Sequence, residues 1–301
     1  MSDTLEQAKA LIKEERCEEA IQLLDSAIEQ DPTNAALWHQ RGVAYYEKED
    51  FRSALRDFNR AIRLKPNEPM YYVSRGRMHS YKGDFQEAAS DLKRALKFDP
   101  NCAEAYAERG DLYARRGDLK NALADYDRAL ELDDTLVEAW YSRGIVYSDK
   151  NEHLKAIADY DRALALDPDY ADIYTSRGAA WYFENDHEKA MADFNRAIEL
   201  DPDDPRALNN RGVLHFVQAN YAASMADYAR AFEKLPNEPL LIGGIAINAH
   251  VMGEVERAKQ LWASLVKLDR RYLDPAFVEQ NLLWPKELVA EATKIIQSLR
   301  Q

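Results

Sequence analysis

Rings, small residues and polar residues recur along this chain with a fixed 34-residue period, and the positions inside each period fall on helical spacings. Numbering the units from residues 35, 69, 103, 137, 171 and 205, position four carries Trp38, Tyr72, Tyr106, Trp140, Tyr174 and Leu208. Position eight is glycine in every unit, and position eleven carries Tyr45, His79, Tyr113, Tyr147, Trp181 and His215. Positions four, eight and eleven share one face of a helix, so each unit opens with an amphipathic helix that sets large rings on either side of a residue without a side chain. Further along, position twenty is Ala54, Ala88, Ala122, Ala156, Ala190 and Ser224, position twenty-four is a ring or Leu92, and position twenty-seven is alanine from Ala61 to Ala231. These form the face of a second helix, whose alanines allow close approach to the glycines of the first. Turn residues such as Lys82-Gly83-Asp84 separate the two, and Pro66, Pro100, Pro168, Pro202 or Pro236 follows the second. A proline there stops one helical hairpin and starts the next.

The register is fixed by an Arg-Gly pair, Arg41-Gly42, that returns at Arg75, Arg109, Arg143, Arg177 and Arg211 without insertion or deletion. This ring, glycine, ring, alanine, ring, alanine, proline pattern resembles the tetratricopeptide repeat, a helix-turn-helix unit of the same period. Arginine at position seven, where that family commonly has leucine, is a known variant and is typical of bacterial multi-repeat proteins. The resemblance implies an all-α, right-handed superhelical solenoid. The regular repeats are 35–68, 69–102, 103–136, 137–170, 171–204 and 205–238. Residues 1–34 keep Ala8, Leu11, Ala20, Leu24, Ala27 and Pro32 and form a degenerate first repeat. Residues 239–272 keep Ala246, Ala258 and Trp262 and form an atypical eighth. In 273–301 the stripe Leu288, Val289, Ala292, Ile295, Ile296 and Leu299 after Trp284-Pro285 predicts a capping helix over the open end, with a partner-docking helix as the competing reading.

Aspartate fills position twenty-three and arginine position twenty-six in all six regular units, from Asp57 and Arg60 to Asp227 and Arg230. With arginine at position seven, this predicts a ladder of ion pairs: one within the second helix, at i, i+3, and one across each hairpin.

Composition narrows the function. A net charge of −13, without a local basic stripe, argues against nucleic acid. No run approaches the roughly 18 apolar residues of a membrane span, and the first residues lack a signal-peptide apolar core. Two distant cysteines, Cys17 and Cys102, indicate no disulfide framework. Cytoplasm is the expected compartment. No phosphate-binding loop, nucleophile elbow or Cys/His metal spacing occurs, the six histidines have no partner at ligand spacing, and the glycines are accounted for by packing. No catalytic, cofactor or metal residue is therefore assigned, and the chain is expected not to be an enzyme.

The resemblance implies that the first helices line a concave groove, with positions two, five, nine, twelve and thirteen facing a bound peptide. Early units offer His39, Val43, Tyr46, Met70, Val73, Arg77 and Tyr81 there. Middle units offer Glu104, Asp111, Arg115, Glu138, Tyr141, Ile145 and Asp149. Later units offer Asp172, Thr175, Tyr182, Phe183, Arg206, Asn209, Val213, Phe216 and Val217. This reads as apolar ends around an acidic middle, fitting a protein or peptide partner with apolar residues around a basic stretch. Position five has no lysine, so the clamp for the C-terminal carboxylate of heat-shock chaperones is not expected; Arg206, Asn209 and Asn210 only echo it. The expected role is an interaction scaffold or adaptor. The alternatives are a scaffold that self-assembles through its ends and a regulatory subunit whose partner supplies catalysis; the oligomeric state is left open.

Overall fold

A computed structural model describes residues 2–282 and 284–299. Among them the chain is an all-helical repeat solenoid of eighteen α-helices without a strand. Two compact units divide it, 1–146 and 147–301. In the first, α1 (Ser2–Lys13) pairs with α2 (Cys17–Gln30), α3 (Ala35–Glu47) with α4 (Phe51–Leu64), α5 (Pro69–Tyr81) with α6 (Phe85–Phe98), and α7 (Ala103–Arg115) with α8 (Leu119–Leu132). The unit boundary falls inside α9 (Val137–Asp149). The second unit holds α10 (His153–Leu166) and the pairs α11 (Ala171–Phe183) with α12 (His187–Leu200), α13 (Pro205–Val217) with α14 (Tyr221–Lys234), and α15 (Pro239–Val251) with α16 (Val255–Leu268). A 3-10 turn, Arg270–Leu273, leads to a short α17 (Pro275–Asn281) and then α18 (Lys286–Leu299).

Each hairpin is closed by the residues that repeat. In the first unit the Phe58 ring lies on Gly42, where an added Cβ would stand 2.7 Å from the ring, so only glycine admits this approach. Asp50, Asp118, Asp186 and Asn220 cap the second helices by accepting backbone N–H bonds from Ser53, Asn121, Lys189 and Ala223.

Successive hairpins are tied by the polar tips of the position-four rings. Trp38 Nε1 donates to the carbonyl of Pro32 at 3.0 Å, Tyr72 Oη to Pro66 at 2.9 Å and Tyr174 Oη to Pro168 at 3.1 Å. Leu208 has no such donor, and the Pro202 carbonyl instead accepts from Arg230 at 2.7 Å. The ring and proline columns are thus partners, a link that helical periodicity alone does not reveal.

The charged ladder takes one of its two predicted forms. Arg41, Arg75, Arg109, Arg177 and Arg211 each grip the position-twenty-three aspartate of their own hairpin through two bonds of 2.6 to 3.1 Å. The same guanidinium reaches back to position twenty-five of the preceding hairpin, as Arg41 does to Asp25 at 2.5 Å and Arg177 to Asp161 at 2.6 Å. It also lies over the position-four ring, 4.7 Å from its centre for both Arg41 on Trp38 and Arg143 on Trp140. The position-twenty-three aspartates are buried against the first helix, and two of the position-twenty-six arginines make a different i, i+3 pair from the expected one. Arg128 and Arg196 turn outward to Glu131 and Glu199.

Residues 273–282 and 284–299 do more than form one helix. Leu288, Ala292, Ile295 and Ile296 of α18 are fully buried, in a core shared with Trp262, Tyr272, Val278 and Trp284. Trp262 Nε1 donates to the Tyr272 carbonyl at 2.9 Å. The α18 helix lies on α15 as well as α16, and His250 Nδ1 stands 3.0 Å from Glu291 Oε2. Every residue from Leu241 to Ala249 is consequently buried.

Candidate functional site

The first helices of consecutive hairpins touch within each unit: α1, α3, α5 and α7 in the first, α11, α13 and α15 in the second. Side chains between them form a surface bordered by the first residues of second helices, among them Phe51, His153 and His187. We describe it unit by unit.

In the first unit, Tyr46, Phe51 and Tyr81 form a cluster with ring centres 5.2 to 6.2 Å apart, and Tyr81 remains 52% exposed. Val43 packs partly onto Phe58 and Met78, and Met70 onto the core around Tyr72. His39 sits between Phe58 and Tyr71, 2.8 Å from Ser74 Oγ, and burial lowers its pKa to about 4. Val73 is a correction to the expected groove set. It is fully buried among Tyr72, Ala95 and Cys102, because position five on α5 turns toward the neighbouring hairpin.

An acidic hollow lies beside these rings, lined by Arg77, Glu104, Glu108, Asp111 and Glu138. Arg77 Nε donates to Glu108 Oε1 at 2.6 Å, and Tyr126 Oη donates to Asp111 Oδ1 at 2.5 Å. Burial pushes the Glu108 carboxyl up to about 7 against the pull of Arg77, and burial also raises Asp111. Glu108, at position six, is absent from the expected groove set. Its acidic neighbours at positions two and nine were the only signal available. Tyr141 is half-buried; Arg115 and Glu138 are exposed, as is Ile145, at 37%.

In the second unit, Tyr182 and Phe183 meet edge to face with centres 5.8 Å apart. His187 stacks on Tyr182 at 5.5 Å and His153 on Phe183 at 4.9 Å, which makes a row of four rings. Phe183 is 55% exposed. Two clefts lie along these first helices, and Phe183 lines the second. One, of about 390 Å³, is lined by Thr175, Ser176, Arg206, Asn209, Asn210 and Glu238 among others. The second, of about 230 Å³, is lined by Tyr182, Phe183, Asn209, Val213, Trp284 and Pro285 among others. Arg206 pairs with Asp172 and Asp204, and Thr175 is held by its hydroxyl to Asp204 at 3.3 Å. Phe216 is a second correction: it is buried against Tyr221 in the core that α18 completes, and Val217 is half-buried. Asp149 is exposed.

Sequence reasoning missed Ser176, Leu240, Leu282, Trp284 and Pro285 as cleft walls. The last three come from the C-terminal segment, whose return to this surface no periodicity encodes.

A tetratricopeptide repeat model matches residues 5–69 and 73–136, a second matches 137–170, and a third matches 181–218. The chain belongs to the tetratricopeptide repeat family. Its hairpins resemble those of the APC/C hetero-tetramer Cut9–Hcn1, with a TM-score of 0.72 at 15% identity, over 79% of this chain and 47% of that one. They also resemble PilF of Pseudomonas aeruginosa, with a TM-score of 0.63 at 18% identity over 67% and 92%. A tetratricopeptide repeat protein from Parabacteroides merdae gives 0.56 at 21% identity over 87% and 98%. This chain thus spans about half the length of the first of these. No curated protein matches it. These likenesses establish the fold, and tetratricopeptide repeats are in general non-catalytic protein-interaction scaffolds.

Among the described residues no helix is long and apolar enough to cross a membrane, and no group of three His, Cys, Asp or Glu side chains is placed to hold a metal ion. The two cysteines are buried and free, and burial pushes the Cys102 thiol up to about 11.

Proposed function

We propose that this scaffold binds a partner protein along the faces of its first helices, through the ring clusters at Tyr46–Tyr81 and Tyr182–Phe183. One observation carries the reading: Tyr81 and Phe183 remain more than half exposed although each leans on a ring of the preceding hairpin, Phe51 and His153. Exposed rings cover much contact area at little conformational cost, and so suit protein contacts. The acidic hollow around Glu104, Glu108 and Asp111 favours a partner segment with basic residues next to apolar ones. Affinity capture from a native lysate tests the reading. The wild-type chain retains a partner that the Tyr182→Ala/Phe183→Ala chain and the Tyr81→Ala chain retain poorly. Equal retention by all three chains moves binding off these faces.

A further inference from the structure

The two clefts of the second unit share Ala179, Asn209, Asn210 and Leu240 as walls, and so form one trough. Its ends differ in chemistry. At one end Tyr182, Phe183 and Val213 face Leu282, Trp284 and Pro285, so the C-terminal segment supplies half of an apolar pocket. At the other end Thr175, Ser176, Arg206 and Glu238 meet; Asp172 and Asp204 already hold the Arg206 guanidinium, leaving an excess of negative charge. Between the ends stand two amide side chains, with Asn209 Nδ2 donating to Asn210 Oδ1 at 3.2 Å. Asn209 Oδ1 is buried without a partner among the described residues.

We propose that this trough takes an extended peptide with a large apolar residue seated against Trp284 and Pro285 and a basic residue at the Glu238 end. The proposal rests on the groove-binding reading above and makes it specific. The extended form follows from the amides on the trough wall. A helix satisfies its own backbone groups, whereas an extended strand presents N–H and C=O to side chains such as Asn209 and Asn210. The basic residue follows from the charge at that end, where Glu238 lines the trough and Asp172 and Asp204 already neutralise Arg206. The apolar residue follows from continuity, because the pocket prolongs the seam in which Trp284 is packed on α15. The C-terminal segment is then a wall of the binding site as well as a cover for the last hairpin.

The probe is an array of fluorescein-labelled peptides, each with one Trp and one Lys separated by Ser-Gly spacers of about two to four residues, in both orders, a span set by the extended rise of roughly 3.3 Å per residue. Fluorescence anisotropy with the full chain is expected to find binding in one order. Changing the peptide's Trp to Ala or its Lys to Glu should weaken binding about tenfold or more, the scale of a hot-spot contact. Phe183→Ser, Leu282→Ser and Asn209→Ala should weaken it similarly. Circular dichroism shows which variants keep their helices, and exposed Phe183 keeps the test valid if Leu282→Ser unfolds. No binding by any peptide overturns the proposal. Unchanged affinity in Phe183→Ser and Asn209→Ala overturns it too, and a simultaneous loss in Tyr81→Ser leaves the broader groove reading standing. Light scattering that shows self-association abolished by Phe183→Ser would make the occupant a second copy, which also overturns it.

Discussion

Gly243 and Trp284 fit together as notch and ring: a Cβ added at Gly243 would overlap Cη2 of the indole. The adjacent Gly244 does the same for Tyr228, so α15 is gripped from two sides. Gly243→Ala gains helix propensity of about 1 kcal/mol and meets an overpacking cost of roughly 1–3 kcal/mol. The approach is so far inside van der Waals contact that the clash prevails. Lower stability in urea and a red-shifted tryptophan emission, as Trp284 leaves its seat, are expected. A more stable variant with unchanged emission would show that the C-terminal segment is seated elsewhere.

The arginine ladder predicts an asymmetric mutational response. Asp57 is fully buried and holds Arg41 through two bonds, so Asp57→Ala leaves the buried guanidinium with Asp25 alone, at a cost approaching the roughly 3–5 kcal/mol of an uncompensated buried charge. Replacing both, Arg41→Met with Asp57→Leu, should recover most of that loss. A double-mutant cycle in urea measures it, and a loss below about 1 kcal/mol for Asp57→Ala would reduce the ladder to a surface feature.

Two buried groups of the first unit should tilt stability with pH in opposite directions. Glu108 keeps its proton in the folded chain up to about 7, whereas an unfolded glutamate loses it near about 4.3. Its contribution is therefore full below that lower value and is lost as pH rises through about 7. His39, lowered to about 4, is neutral in the folded chain where the unfolded imidazole is already protonated. Its contribution is full above about 6.5 and is lost as pH falls toward about 4. Melting temperatures from pH 4 to 8 should show Glu108→Gln losing the alkaline decline and His39→Asn losing the acid one. Parallel profiles for either variant and the wild type would refute that group's assignment.

The turn inside each hairpin places one residue in the left-handed region: Gly83, Gly117 and Gly253 in three hairpins, but Ala219, at φ 58°, before α14. Ala219→Gly should relieve about 1 kcal/mol of strain and raise the melting temperature, while a fall would mean the side chain contributes packing that its exposure does not suggest.

The repeating columns could be read from the sequence because packing fixes them. Gly42 must face the Phe58 ring, so the spacing of glycine, alanine and ring specifies the hairpin directly. The cross-hairpin pairing of position seven with position twenty-three also follows from that spacing, but its further reach to position twenty-five does not. That contact depends on how one hairpin is set on the next, as with Arg177 and Asp161. Of the expected groove positions, Tyr81 and Phe183 stay outside the core, while Val73 and Phe216 are drawn inward by neighbouring helices. Trp284 could not be placed at all from periodicity. The pair Gly243-Gly244, which breaks the column pattern in 239–272, was the one trace of the ring that lands there.

The central claim, that a partner lies against the first helices, is tested most directly by site-specific photo-crosslinking. A benzophenone amino acid at position 183 or 81, on first helices, is compared with one at position 166 or 268, exposed on the second helices α10 and α16. The account predicts covalent adducts with a captured partner from 183 and 81 and none from 166 and 268. Adducts from 166 or 268 alone would contradict it.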